Sequence, residues 1–321
     1  MSENRFTENI PFDKADEFVS QLLPNSKLFS NIYEPREWIF RGQGATWPLL
    51  PKAHRPGEQL ITWDGSWVPF GEFHLFDQVA HEIAVLNHFF WLAEGNGLRM
   101  PEDSQQVRAF LREIKEVQSA GYKATTTLYS GWPHQGILSL LALVQHYGLP
   151  TRLLDWTYDP LVAAYFAAEH AARSRADEIR TGSELVVWAL DVPQFRETPL
   201  LSKAHEPEVF IEIVTAPPSD NENLRAQKGL FTLVRVPPKE WLQHFQAMSF
   251  DSAVGTWAAN SESDVYLLRR FTLPVTESRR LLWLLAKLGV SAASVFPGFG
   301  GAVTALRERK YWCGPPSVLD L

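Results

Sequence analysis

The sequence predicts an α+β protein. Helical spacing of apolar residues dominates the first half of the chain. Short β-branched and aromatic runs gather in the second half. The two kinds of segment do not alternate as a parallel α/β sheet would require. The expected architecture is a helical N-terminal region and a mixed or antiparallel sheet core built from the second half.

The elements follow in order. Residues 12–23 read as an amphipathic helix, with Phe18, Val19, Leu22 and Leu23 apolar. Trp38, Ile39 and Phe40 form a short apolar strand that runs into Arg41-Gly42-Gln43-Gly44. Residues 56–71 are rich in Gly, Pro and Trp and read as a loop. A long helix is expected over 72–94, with Phe73, Phe76, Val79, Ile83, Leu86 and Phe90 on one side, and another over 104–119. Residues 122–134 read as irregular. Ile137, Leu140, Leu141 and Val144 mark a buried helix that Gly148 and Pro150 end. Thr151–Trp156 reads as a strand. A helix then starts at Pro160, capped by Thr157 or Asp159 and rich in Ala163, Ala164, Ala167 and Ala168. Runs at 185–190, 209–214, 230–234 and 265–273 read as strands, 276–288 as a helix, and 295–309 as the final helix.

Composition narrows the function classes. The chain has 321 residues, 45% hydrophobic and 21% charged, with a formal net charge of −7, so the chain as a whole lacks the basic signature of a duplex nucleic-acid binder. A single cysteine, Cys313, leaves no internal disulfide and no cysteine-based zinc site. The start is polar and mixed in charge, unlike a signal peptide, and no apolar run reaches the roughly 18 residues of a membrane span. A soluble cytoplasmic protein without membrane contact is expected.

The densest chemistry lies between Val144 and Ala167. His146, Arg152, Asp155 and Thr157 crowd one short strand, and a helix begins at once behind it. That helix N-terminus offers N–H groups to a phosphate, although a capped helix N-terminus is usually only a capped helix. Trp38-Ile-Phe-Arg-Gly-Gln43, His146-Tyr-Gly-Leu-Pro-Thr-Arg-Leu-Leu-Asp-Trp-Thr157, the Pro160–Ala167 helix, Asn223-Leu-Arg-Ala-Gln-Lys-Gly-Leu-Phe-Thr232 and Val295-Phe-Pro297 resemble, in order, the motifs of the FRG domain family. The resemblance spans about residues 36–300 and implies a single FRG-type domain over 1–321, with 56–134 as a helical insertion or lobe. The family is bacterial and phage-associated.

A more distant resemblance extends to the ADP-ribosyltransferase superfamily. A strand ending in Arg is followed by a strand ending in Thr before an Ala- and Phe-rich helix. It implies a split sheet with NAD as substrate in the cleft, and a toxin or anti-phage effector that modifies a macromolecule. The implied catalytic residues are Arg41, Asp155 and Thr157. The superfamily's third acid has no clear counterpart: Glu212 and Gln227 are candidates, Asp264 is another, and Glu206 and Glu208 have the spacing in a loop-like stretch. The implied cofactor surface is Phe40, Arg41, Gly42 and Gln43, then His146, Tyr147, Thr151, Arg152, Trp156 and Thr157, then Tyr165 and Phe166.

Cleaving nicotinamide from ribose builds positive charge on the ribose. A carboxylate stabilises that charge in a dry cleft, and an arginine fork holds the pyrophosphate. The same residues admit other uses. Arg41 or Arg152 could pair with a buried acid, His146 could be a satisfied core histidine, His54 could sit in a solvated basic turn beside Lys52 and Arg55, and Gly229 could serve backbone geometry. Two further functions stay open: a nucleotide or nucleic-acid binding module without chemistry, and a hydrolase or nuclease using His54, His146 and Asp155.

Overall fold

The computed structural model describes residues 5–26, 38–71, 73–101, 103–117, 129, 131–173, 183–197, 209–216, 222–235, 244–258 and 266–312. Its strands are β1 (Thr7–Pro11), β2 (Trp38–Gln43), β3 (Gln59–Ile61), β4 (Trp67–Pro69), β5 (Leu154–Thr157), β6 (Glu184–Asp191), β7 (Phe210–Val214), β8 (Gly229–Arg235) and β9 (Leu268–Pro274). Seven of them form one mixed sheet in the order β1-β9-β6-β2-β5-β8-β7, and β3 pairs with β4 in a separate hairpin.

The α+β class holds, with two additions to the sequence reading. The half-exposed strand β1 pairs in parallel with β9 at one edge, and β2 is central to the sheet, so the core also recruits the N-terminal region. The loop expected over 56–71 contains the antiparallel β3–β4 hairpin.

The fully apolar run in β6 follows from burial on both faces. Leu185, Val187 and Ala189 join a cluster with Phe18, Tyr165 and Phe271. Val186, Trp188 and Leu190 join an opposite cluster with Ile39, Trp156 and Phe250. Alternate side chains of one strand thus serve two cores. A third cluster lies under the long helix Leu75–Gly95, where Ile83, Leu86 and Phe90 meet Leu140 and Val144 of the helix Leu138–His146 and Phe231 of β8.

One seam of the sheet is nearly unstitched. β2 pairs with β6 along its whole length, from Trp38 opposite Asp191 to Gln43 opposite Val186. On its other side it meets β5 at one register pair, Phe40 with Thr157. Past that point the strands part, which leaves Arg41, Gly42 and Gln43 facing Trp156 and Asp155 across a gap. The helix Pro160–Arg173 lies over β2 at close range. A Cβ on Gly42 would overlap the Ala163 carbonyl oxygen and come within 2.8 Å of Ala167 N. Glycine here supplies space rather than backbone freedom, and the alanine face of the helix meets it.

Gly42→Ala is therefore expected to force the helix off β2 and to destabilise the fold by about 1–3 kcal/mol. Chemical denaturation measures this, and an unchanged midpoint would show that the helix yields without cost.

Candidate functional site

The gap between β2 and β5 opens into a cavity of about 940 Å³. Its floor is the parted seam itself: Phe40, Arg41, Gly42 and Gln43 from β2, with Asp155, Trp156 and Thr157 from β5. Arg41 crosses the gap. Its Nη1 donates to the Asp155 carbonyl oxygen at 2.8 Å and lies 3.5 Å from Asp155 Oδ2. The first bond satisfies a strand carbonyl that ladder pairing has left open. Arg41 Nε is buried without a partner. Burial pulls the Arg41 guanidinium below its ordinary value, and the Asp155 charge opposes that while the nearby Arg55 charge adds to it.

Asp155 is held from the other side by a short relay. Thr151 Oγ1 donates to Gln145 Oε1, and Gln145 Nε2 donates to Asp155 Oδ1. The carboxylate is oriented while its side chain stays 59% exposed to the cleft. Thr157, in contrast, is committed to structure. Its hydroxyl donates to the Gln227 carbonyl at 2.6 Å and accepts from Asp159 N at 3.0 Å. Asp159 Oδ1 accepts from Leu161 N at 3.0 Å, and Asp159 Oδ2 pairs with Lys228 Nζ at 2.8 Å. The helix N-terminus is thus capped by side chains of the protein itself.

A cationic wall faces Arg41. Lys52 and Arg55 line the cavity on the turn around Lys52–His54. Lys52 Nζ donates to the Gly148 carbonyl at 2.6 Å, and Arg55 Nε donates to the Leu50 carbonyl at 3.0 Å. The turn is anchored by a buried carboxylate, Glu82 of the long helix. Glu82 Oε1 lies 3.1 Å from His54 Nε2 and accepts from Gln78 Nε2 at 2.8 Å. Its Oε2 accepts from Trp132 Nε1 at 2.9 Å and from Arg152 Nε. Burial alone would raise the Glu82 carboxyl, but the Arg152 charge and the His54 and Arg152 hydrogen bonds outweigh it and hold it well below the usual carboxylate range. Burial lowers His54 despite its bond to Glu82.

The opposite wall is the helix Pro160–Arg173, which presents Ala163, Phe166, Glu169 and His170 to the cavity. Trp47 and Phe296 close that side. His146 and Gln227 line the cavity and also a small side pocket beside Asp155. His146 Nε2 lies 2.9 Å from Asn223 Nδ2, and burial lowers its imidazole against the opposing charge of Asp155.

Of the residues singled out in the sequence, Phe40, Arg41, Gly42, Gln43, His146, Asp155, Trp156, Thr157, Phe166 and Gln227 meet at the cavity. Seven others do not line it. Arg152 is buried against Glu82, and Thr151 reaches the site only through Gln145. Tyr147 is exposed and stacks on Phe89. The Tyr165 hydroxyl donates to Glu308 Oε1 at 2.6 Å inside the core. Glu212 sits on the edge strand β7, paired with Arg235 at 3.0 Å. His54 is part of the buried anchor instead of a solvated turn. Gly229 leaves room for Leu224, whereas the left-handed residue of that turn is Lys228, at φ 49°. Glu206, Glu208, Asp264 and Cys313 lie outside the described residues. Sequence reasoning passed over Gln145, Glu169, His170 and Trp47 as site residues. The helical spacing of Phe166, Glu169 and His170 was the available signal for two of them.

These features define an α+β protein with an open, partly cationic cleft at a split in its sheet. Residues 36–176, which take in β2, β5 and the helix over them, match the family model of the FRG domain. No curated protein and no solved structure matches the chain. Among the described residues no cluster of metal-ligating side chains occurs, and no helix is long and apolar enough to cross a membrane.

Glu82→Ala would strand Arg152 in the interior, and a loss of about 3–5 kcal/mol is expected in denaturant titration. Stability also depends on pH. Burial holds His54, His81 and His146 low, so the unfolded chain takes up their protons first. The stability present above about pH 6.5 is lost as pH falls through the histidine range. Glu82, held low, adds a loss of the same sign below about pH 4.3. Tm should therefore fall steadily from pH 7 to 5, less steeply in His54→Gln. A flat profile would contradict the burial of these imidazoles.

Proposed function

We propose that the cleft binds NAD as substrate and that the chain is an ADP-ribosyltransferase-like enzyme, passing ADP-ribose to a macromolecule or to water. The observation that carries this reading is the gathering of Arg41, Lys52 and Arg55 opposite the oriented, exposed carboxylate of Asp155 at the parted seam. Three cations suit a pyrophosphate, and the unpartnered Arg41 Nε is a donor in reserve. A cavity of about 940 Å³ falls in the range of about 300–1,000 Å³ typical of small-molecule sites.

In this reading the bond between ribose C1′ and the nicotinamide nitrogen breaks. Its electron pair leaves with nicotinamide, which becomes neutral. Positive charge grows on the ribose, and Asp155 stabilises it from a position that Gln145 fixes in advance. An acceptor nucleophile then bonds to C1′ and releases its proton. Asp155 fills the carboxylate role for which Glu212 and Gln227 were candidates, and His146 and Trp156 wall the nicotinamide end. In a cell such an activity would drain NAD or mark a macromolecule, the chemistry of a toxin or anti-phage effector.

A second reading is a nucleotide-binding module without chemistry. It is favoured by the engagement of both Asp155 oxygens, one with Gln145 and one near Arg41. Nicotinamide release by the purified protein separates the two. Asp155→Asn should lower release by about 100-fold or more while NAD still binds. Arg41→Ala should weaken NAD binding by about tenfold or more. Binding without release, in the presence of lysate as acceptor, would establish the module. Absence of NAD binding would remove the enzyme reading and leave the module only for another nucleotide.

A further inference from the structure

The cleft has two chemically different ends. Arg41, Lys52 and Arg55 gather near Asp155 at one. The other is walled by rings. Trp47, 50% exposed, stands edge-on to His170 with centroids 5.1 Å apart, and Phe166 stands edge-on to Phe296 at 6.0 Å. The close approach of β2 to the helix sets this end. Ala163 lies against Gly42, and His170 lies against Gly44. Glu169 is thus about 9 Å further along the helix than Ala163, at 1.5 Å per residue.

Glu169 is the only acid besides Asp155 that lines the cleft among the described residues. Its side chain is 17% exposed, and Oε1 is held by Arg173 Nε one turn on. Glu169 has no other hydrogen-bond partner among the described residues, so Oε2 is unused. Burial raises its carboxyl, the Arg173 charge opposes that, and the Glu308 charge adds to it. A carboxylate pinned by one oxygen at the edge of an aromatic slot is placed to read a flat ring by a donor at its rim.

We infer that this end is a base-recognition subsite in which Glu169 accepts a hydrogen bond from the exocyclic amino group of adenine, so that the cleft selects adenine nucleotides. The inference rests on the proposed NAD reading of the cleft. Ionised carboxylates only accept hydrogen bonds. The 6-amino group of adenine donates one, whereas the 6-oxo group of hypoxanthine would set acceptor against acceptor. Sites built around such a bond reject the analogue that lacks it, because the buried polar group is left unpaired. The rings supply stacking that every base shares, so discrimination falls to the carboxylate.

The test titrates the full chain calorimetrically with NAD and with nicotinamide hypoxanthine dinucleotide. The latter carries a 6-oxo group in place of the 6-amino group and N1–H in place of the N1 acceptor, so a carboxylate set on N1 instead would reverse the preference and overturn the inference. The wild type should bind NAD about tenfold or more tightly. In Glu169→Gln the ratio should fall to near one, because an amide offers either a donor or an acceptor. Arg173→Ala removes the ion pair and leaves the carboxylate, so it should keep the preference. Thermal melts show whether each variant is folded. Equal affinity in the wild type, or a preference that survives Glu169→Gln, overturns the inference and leaves the NAD reading standing. If neither dinucleotide binds, the NAD reading fails, and AMP against IMP decides the subsite alone. A preference for AMP that Glu169→Gln abolishes upholds it, and no binding or no preference overturns it.

Discussion

The buried carboxylate of Glu82 is the interaction on which the arrangement depends. It takes hydrogen bonds from Arg152 beside β5, from Trp132, from Gln78 on its own helix and from His54 on the Lys52–His54 turn. These groups are far apart in sequence and share one pair of oxygens. An ion pair this deep adds little net stability against apolar residues of the same shape, because two charges must be stripped of water. Its value is geometric. Neither partner tolerates loss of the other, so the turn that carries Lys52 and Arg55 is tied to the strand that carries Asp155. The cationic wall of the cleft is positioned by chemistry that never touches the cleft.

The seam between β2 and β5 is the second constraint, and glycine makes it workable. Gly42 and Gly44 let the helix Pro160–Arg173 press against β2, which keeps β2 in place without a ladder on its β5 side. Arg41 then spans the parted strands through the Asp155 carbonyl. Its structural and functional readings are compatible. The tighter of its two bonds goes to a neutral oxygen, and the carboxylate stands at 3.5 Å and largely exposed. Its position is fixed while its charge is only partly answered.

Much of this was legible in the sequence. The β6 run was apolar enough to demand burial on both faces, and Gly148, at φ 86°, ended the helix before β5 as read. Arg41, Asp155 and Thr157 do converge. The failures have physical causes. β1, with the sequence TENIP, is a half-exposed edge strand and carries no hydrophobic alternation. Arg152 looked like a site residue because its partner, Glu82, lies 70 residues earlier inside an apolar helix pattern. Tyr165 and Phe166 are neighbours, but a helix turns by 100° per residue, so one enters the core and the other the cleft. Glu212 had a strand to sit on, yet β7 is two strands beyond β5, about 10 Å at ordinary spacing. Sheet order is a tertiary fact that no local pattern encodes.

The electrostatics of the cleft follow from the same geometry. Burial disfavours the Arg41 charge, and the nearby Arg55 charge adds to that cost. Asp155 offsets part of it, but its second oxygen is drawn toward Gln145. Arg55 has no acidic partner among the described residues. Lys52 has Glu58 at 3.9 Å and Arg41 has Asp155 at 3.5 Å, so Arg55 is the cleft cation whose charge is left unanswered. Two treatments of charge thus coexist in one molecule: the ion pair of Glu82 with Arg152 is buried and builds the site, whereas the Asp155 carboxylate, 59% exposed beside Arg41, stays open in the cleft.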